Sequence, residues 1–121
     1  MIKESVEVTF PRAQACVVVV RGDQDRGTAV ELERRLSTLL ADSTLLVVDV
    51  SEADFVDSSF LRTMLITDRQ AKEQDKIFRL QMNTAPIVRR AFEVSGVLQR
   101  LTVVNNREDA LEVAVSEGDS D

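Results

Sequence analysis

The chain has 121 residues, a length that suits a single domain, and 21 Asp and Glu against 15 Lys and Arg give it a net charge of −6. An acidic chain with five Phe and no Trp or Tyr is a poor match to nucleic acid, which is held by basic surfaces and stacking aromatics. With no His the commonest general base is absent, one Cys excludes an intrachain disulfide, and the two together argue against a zinc site.

Residues 6–10, VEVTF, alternate apolar and polar as a half-exposed strand does, and Pro11 breaks the pattern. CVVVVRG, Cys16 to Gly22, is a β-branched run expected in a strand buried on both faces. Gly22 to Thr28 reads as a turn. Ala29, Leu32, Leu36, Leu39 and Leu40 then recur at helical steps, which predicts a helix with Thr28 as its N-cap and Asp42-Ser43 as its end. TLLVVDV, Thr44 to Val50, is the next buried strand, and SEADF carries it on to VDSSF.

Leu61, Met64, Leu65 and Asp68 step at helical spacing to about Gln74, and KIFRLQM, residues 76–82, alternates as a strand. Residues 83–86 open a helix over 87–96, with Pro86 tolerated near its first turn and Gly96 as the C-terminal stop. LTVVN, 101–105, predicts a short strand, and 107–117 a last helix. Residues 117–121 form a short acidic tail expected to be disordered. The predicted order is β-β-α-β-α-β-α-β-α, an α/β domain over residues 1–116 with a mixed sheet and right-handed crossovers. No run approaches the about 20 apolar residues of a membrane span. MIKESVEVTF lacks the apolar region of a signal peptide, and Cys16 is expected as a buried free thiol, so a cytoplasmic protein is expected.

Asp25 and Asp57-Ser58-Ser59 both follow strands, where α/β folds build their sites. Ser58 and Ser59 are good helix caps, since a serine oxygen accepts a first-turn amide. The same place suits a phosphate, which would meet amide donors and the positive end of the helix dipole. Hydrolase chemistry is not supported: VDSSF lacks the glycines of a nucleophile elbow, and no histidine exists to activate a serine. No GxxxxGK[ST] loop is present, and the last strand, LTVVNN, lacks the lysine a phospho-aspartate receiver needs. Asp23, Asp25, Asp54 and Asp57 are carboxylates of a kind that can hold Mg²⁺, but acid-rich turns are more often solvated, and no metal or other cofactor is expected.

VVDVSEADFVDSS before a helix, RGDQD-x-x-T before the first helix, and NTAPIVRRAFEVSG followed by LTVV resemble the STAS domain of bacterial anti-sigma factor antagonists, over about residues 5–116. The resemblance implies a sheet with helices packed mainly on one face, and a non-enzymatic protein that binds an anti-sigma factor when unphosphorylated. That partner is a serine kinase of the histidine-kinase-like ATPase type. It would phosphorylate Ser58 (Ser59 as second choice) and be released, and a PP2C-type phosphatase would restore binding. Asp25 and Asp57 match family aspartates beside the target serine, and Asp25, Asp57, Ser59, Phe60 and Arg62 would form the partner surface. No contact with nucleic acid or membrane is implied.

Two departures from the family pattern stand out. Phe60 occupies the place of the usual glycine after the serines, and either packs inward or modifies the contact surface. The usual glycine-rich turn before the fourth strand is replaced by Gln74-Asp75-Lys76. Two other readings are compatible with the sequence: a STAS scaffold or adaptor subunit of a signalling or transport complex, with the serines as caps only, and a regulator that binds a small molecule or nucleotide.

Overall fold

The computed structural model describes residues 5–112. Five strands, β1 (Val6–Arg12), β2 (Ala15–Gln24), β3 (Leu45–Val56), β4 (Ile77–Gln81) and β5 (Val103–Val104), lie side by side in chain order. β1 is antiparallel to β2, and the remaining pairs are parallel. α1 (Arg26–Ala41), α2 (Ser58–Glu73) and α3 (Pro86–Ser95) connect the parallel strands, a 3₁₀ turn (Val97–Arg100) follows α3, and α4 (Arg107–Ala110) follows β5. The element order is the predicted one, with the 3₁₀ turn added.

Parallel strands that follow one another in order, joined by right-handed crossovers, put every connecting helix on the same face. Cys16, Val18 and Val20 of β2 and Leu46, Val48 and Val50 of β3 accordingly share one core with Leu32 and Leu36 of α1, Met64 of α2 and Phe92 of α3. The alternate residues, Val17, Val19, Leu45 and Val47, face the other way and pack with Ala110 and Leu111. Arg107 pins α4 there: its guanidinium lies 2.5 Å from buried Asp49 and donates to Gln81 at 2.8 Å, so both buried polar side chains are partnered.

Local chemistry sets the ends of the helices. Lys76 donates to the Leu40 and Ala41 carbonyls, both at 2.7 Å, placing a cation on the negative end of α1. Asp75 takes the left-handed conformation (φ 58°) in the turn that leads to Lys76, work usually given to glycine. Pro86 is the first residue of α3, and Gly96 ends it at φ 78°.

Some expectations need correction. Pro11 lies inside β1 rather than ending it, which an edge strand with a bulge tolerates. Gly22 to Gln24, read as a turn, continue β2, with Gly22 at φ 68°. β5 has two residues, and α4 stops at Ala110. Leu111 and Glu112, predicted as helix, lie beyond its end, and residues 113–117 of the predicted last helix, the domain boundary at 116 and the acidic tail lie outside the described residues. Among the described residues, no helix is long and apolar enough to cross a membrane.

Cys16 is fully buried, and burial pushes its thiol from an ordinary 9.0 up to about 11. The folded state therefore keeps its proton where the unfolded chain loses it, and this contribution is intact below pH 9 and lost as pH rises to 11. Chemical denaturation across that range should cost wild type about 2–3 kcal/mol more than Cys16→Ala, with the native thiol unreactive at neutral pH. Parallel pH profiles of the two proteins would rule this out.

Candidate functional site

β2 and β3 outrun the rest of the sheet. β4 pairs with β3 only as far as Asp49, whereas the β2–β3 ladder continues to Gln24 and Val56. β3 takes an extra residue at each of two bulges. From Val19↔Asp49 to Arg21↔Glu52, β2 advances two residues and β3 three, and from Gly22↔Ala53 to Asp23↔Phe55 the steps are one and two. Such bulges re-aim the side chains beyond them. Simple alternation would bury Phe55 alongside Ala53; the second bulge leaves it 44% exposed.

The tips of the two strands are tied together. The Asp57 amide donates to the Gln24 carbonyl at 3.1 Å, so the starts of α1 and α2 emerge side by side. Asp25 caps α1: its carboxylate accepts the Thr28 amide at 3.3 Å, and the Thr28 hydroxyl accepts the Asp25 amide at 3.1 Å. The N-cap is thus Asp25, and Thr28, expected in that role, is the third residue of a reciprocal capping box. Fully buried Gln24 donates to the Arg21 carbonyl at 2.9 Å and accepts from the Thr28 hydroxyl at 3.3 Å. Gly27 leaves room for this cap, because a Cβ there would stand 3.2 Å from the Asp25 carboxylate.

The second cap corrects another expectation. Asp57, and neither serine, caps α2, with one carboxylate oxygen accepting from Ser59 at 2.8 Å and Phe60 at 3.3 Å. Ser58 is the first helical residue, is exposed, and its hydroxyl makes no hydrogen bond among the described residues. Ser59 is half-buried. Two first-turn amides that a phosphate on Ser58 was expected to find are already engaged by Asp57. Arg62, exposed, stands one turn along the helix from Ser58, the separation at which side chains meet.

Phe60 turns inward. It is 1% exposed and meets Phe92 of α3 edge to face, with ring centroids 6.2 Å apart and planes at 87°. It cannot form part of a partner surface, and its expected place there is withdrawn on grounds of burial. Its ring joins the start of α2 to α3 and leaves the approach to Ser58 unobstructed. The structure thus brings Asp25, Asp57, Ser58 and Ser59 together, with Arg62 beside them and Phe60 beneath.

The sequence reading overlooked two apolar residues at this end of the sheet. One is Phe55. The other is Ile87, exposed in the first turn of α3, which is held near β3 by the Thr84 hydroxyl donating to the Val50 carbonyl at 2.7 Å. Among the described residues, no three His, Cys, Asp or Glu side chains are grouped to hold a metal. The edge is a surface: a free hydroxyl and carboxylates, flanked by an exposed aromatic ring.

Comparison with known proteins places this surface in context. Residues 9–106 match the family model described as Mlab, STAS domain. The chain is 28% identical over 96 residues to BtrV of Bordetella bronchiseptica, a protein named for anti-sigma factor antagonism, over 78% of this chain and 81% of that one. An anti-sigma factor antagonist from Mycobacterium paratuberculosis has a similar structure, with TM-score 0.74 at 25% identity, covering 88% and 89% of the two chains. The antagonist SpoIIAA in its unphosphorylated form has the same fold, with TM-score 0.76 at 19% identity over 92% and 96%.

Two stability measurements check the local assignments. Asp57→Ala should lose about 1 kcal/mol in urea denaturation, whereas Ser58→Ala should change stability by less than about 0.5 kcal/mol; the reverse order would return the cap to the serine. Phe60→Ala should cost about 3–5 kcal/mol as a fully buried ring is lost, and a loss below 1 kcal/mol would place that ring at the surface.

Proposed function

The chain belongs to the STAS domain family, and from that premise we propose that it is an anti-sigma factor antagonist whose binding face is switched by phosphorylation of Ser58. The observation that carries this reading is the division of labour at the start of α2. Asp57 does the capping, so the Ser58 hydroxyl is exposed and can be modified without removing a helix contact. The protein supplies an accepting hydroxyl and a docking surface, and catalysis belongs to its partners.

In this reading the unmodified edge binds an anti-sigma factor that is also a serine kinase of the histidine-kinase-like ATPase type. Phe55 and Ile87 give apolar contact, and Asp25 and Asp57 give charge. The kinase transfers the γ-phosphoryl group of ATP to the Ser58 oxygen, with ADP leaving and the hydroxyl proton lost to solvent. The product carries about −1.5 to −2 further charges. Beside two carboxylates, and with the nearest amides already occupied, that charge disfavours any partner surface that buries it. The domain stays folded because no cap is lost. A PP2C-type phosphatase would hydrolyse the ester and restore binding, with the cycle running in the cytoplasm and setting sigma-dependent transcription.

One second reading rests on the exposed apolar residues Phe55 and Ile87, which would suit a permanent contact. Here the same edge is a constitutive interface of an adaptor subunit in a transport or signalling complex, and Ser58 is never modified.

Incubation with the serine-kinase anti-sigma factor and ATP separates the two. The switch predicts one phosphoryl group on wild type, mapped to Ser58 and absent from Ser58→Ala, and about tenfold or more weaker binding for Ser58→Asp. Full phosphorylation of Ser58→Ala would remove the site assignment. Undiminished binding by Ser58→Asp, with no phosphate on wild type, would leave the adaptor.

A further inference from the structure

The charge of the chain is unevenly placed. Against a net charge of −6, four cations, Arg62, Arg69, Lys72 and Arg100, line one groove of about 490 Å³ between the outer face of α2 and the 3₁₀ turn after α3. One acid lines it with them, Asp68, and its carboxylate lies 2.9 Å from the Lys72 ammonium. Arg62, Arg69 and Arg100 are exposed and make no ion pair among the described residues. The lining therefore sums to +3 on a protein that is acidic as a whole.

The floor between the cations is apolar. Leu65 and Ile66, both half-buried, lie at the third and fourth positions after Arg62, so they share its face of the helix with Arg69 and Lys72. Leu65, on the same face as Leu61 one turn earlier, also packs against the core, which Met64 and Ala71 enter from the far side of the helix. Three arginines, unpaired among the described residues, in one groove of an acidic protein leave a local positive potential that an anionic ligand would complement.

We propose that this groove docks an acidic segment of a protein partner, one that alternates carboxylates with aliphatic side chains. From Arg62 to Lys72 the cations extend over about 15 Å of helix, by the rise of 1.5 Å per residue, too far apart to converge on one small anion. A peptide spans that length, sets its carboxylates against the guanidinium forks and lays an aliphatic side chain on Leu65 and Ile66. An anionic bilayer fits less well. The large exposed apolar side chains, Phe10, Val30, Phe55, Ile87 and Val94, lie outside the groove, and the acidic remainder of the surface would be repelled. The groove begins one turn from Ser58, so a partner on the Ser58 edge can reach it, yet its binding does not require Ser58 to be phosphorylated.

The test uses unmodified protein and a fluorescent peptide of Glu-Glu-Leu repeats, followed by anisotropy. Wild type should bind it saturably, more weakly as salt rises, and should not bind a Lys-Lys-Leu counterpart. Arg62→Glu, Arg69→Glu and Arg100→Glu combined should weaken binding about tenfold or more, while Arg34→Glu, on α1 outside the groove, should change it by less than about twofold. All three changes are at exposed positions, and an unchanged melting temperature would confirm that the variant is folded. Absent binding, or equal binding by the triple variant, overturns the proposal. Full displacement by millimolar inorganic phosphate would reassign the groove to a small anion. Arginine-dependent retention on phosphatidylglycerol vesicles, without peptide binding, would reassign it to a membrane.

Discussion

Past Asp49 the β2–β3 ladder runs on without β4, and it is closed by one hydrogen bond, from the Asp57 amide to the Gln24 carbonyl. Parallel strands paired to their tips must release their helices side by side. Everything proposed for the edge follows from this closure. It sets the two capping aspartates next to each other, and it fixes where the first exposed residue of α2 emerges. The bulges that let β3 reach the tip also turn Phe55 outward. A looser pairing would leave the same residues in the sequence but scatter them in space.

Burial beneath the edge reinforces this geometry. Phe60 lies under the first turn of α2 and reaches Phe92, so two helices that approach from different strands share one contact. Behind them the aliphatic alternation of β2 and β3 holds a core on both faces of the sheet, with α4 fastened to the second face through Arg107. The two capping carboxylates stand at the sheet edge, and four cations line the groove beside α2, with Arg62 one turn from Ser58.

Most of the architecture could be read from periodicity. The change from β-branched alternation to helical steps located α1, α2 and α3, and Pro86 and Gly96 marked both ends of α3. Several of the errors are local choices decided by tertiary pairing. Gly22-Asp23-Gln24 has turn composition, but a long β3 alongside supplies strand partners and makes it strand. Pro11 stays in a strand because the edge leaves its missing amide unneeded. Ser58 and Ser59 are good caps by residue type, yet Asp57 is positioned first by its bond to Gln24 and takes the amides. Phe55 could not be read as exposed, because bulges leave no mark in an alternation pattern. The inward turn of Phe60 depended on a ring in α3 more than thirty positions away.

Because Asp57 holds the helix, the identity of residue 58 is nearly free of folding constraint. Evolution can therefore explore that position at little stability cost. Under the proposed switch, a lineage could lose regulation by a single codon change to alanine, or regain it by the reverse step, without first acquiring a compensating mutation elsewhere. In a chain whose serine was also its cap, each such step would weaken the fold as well.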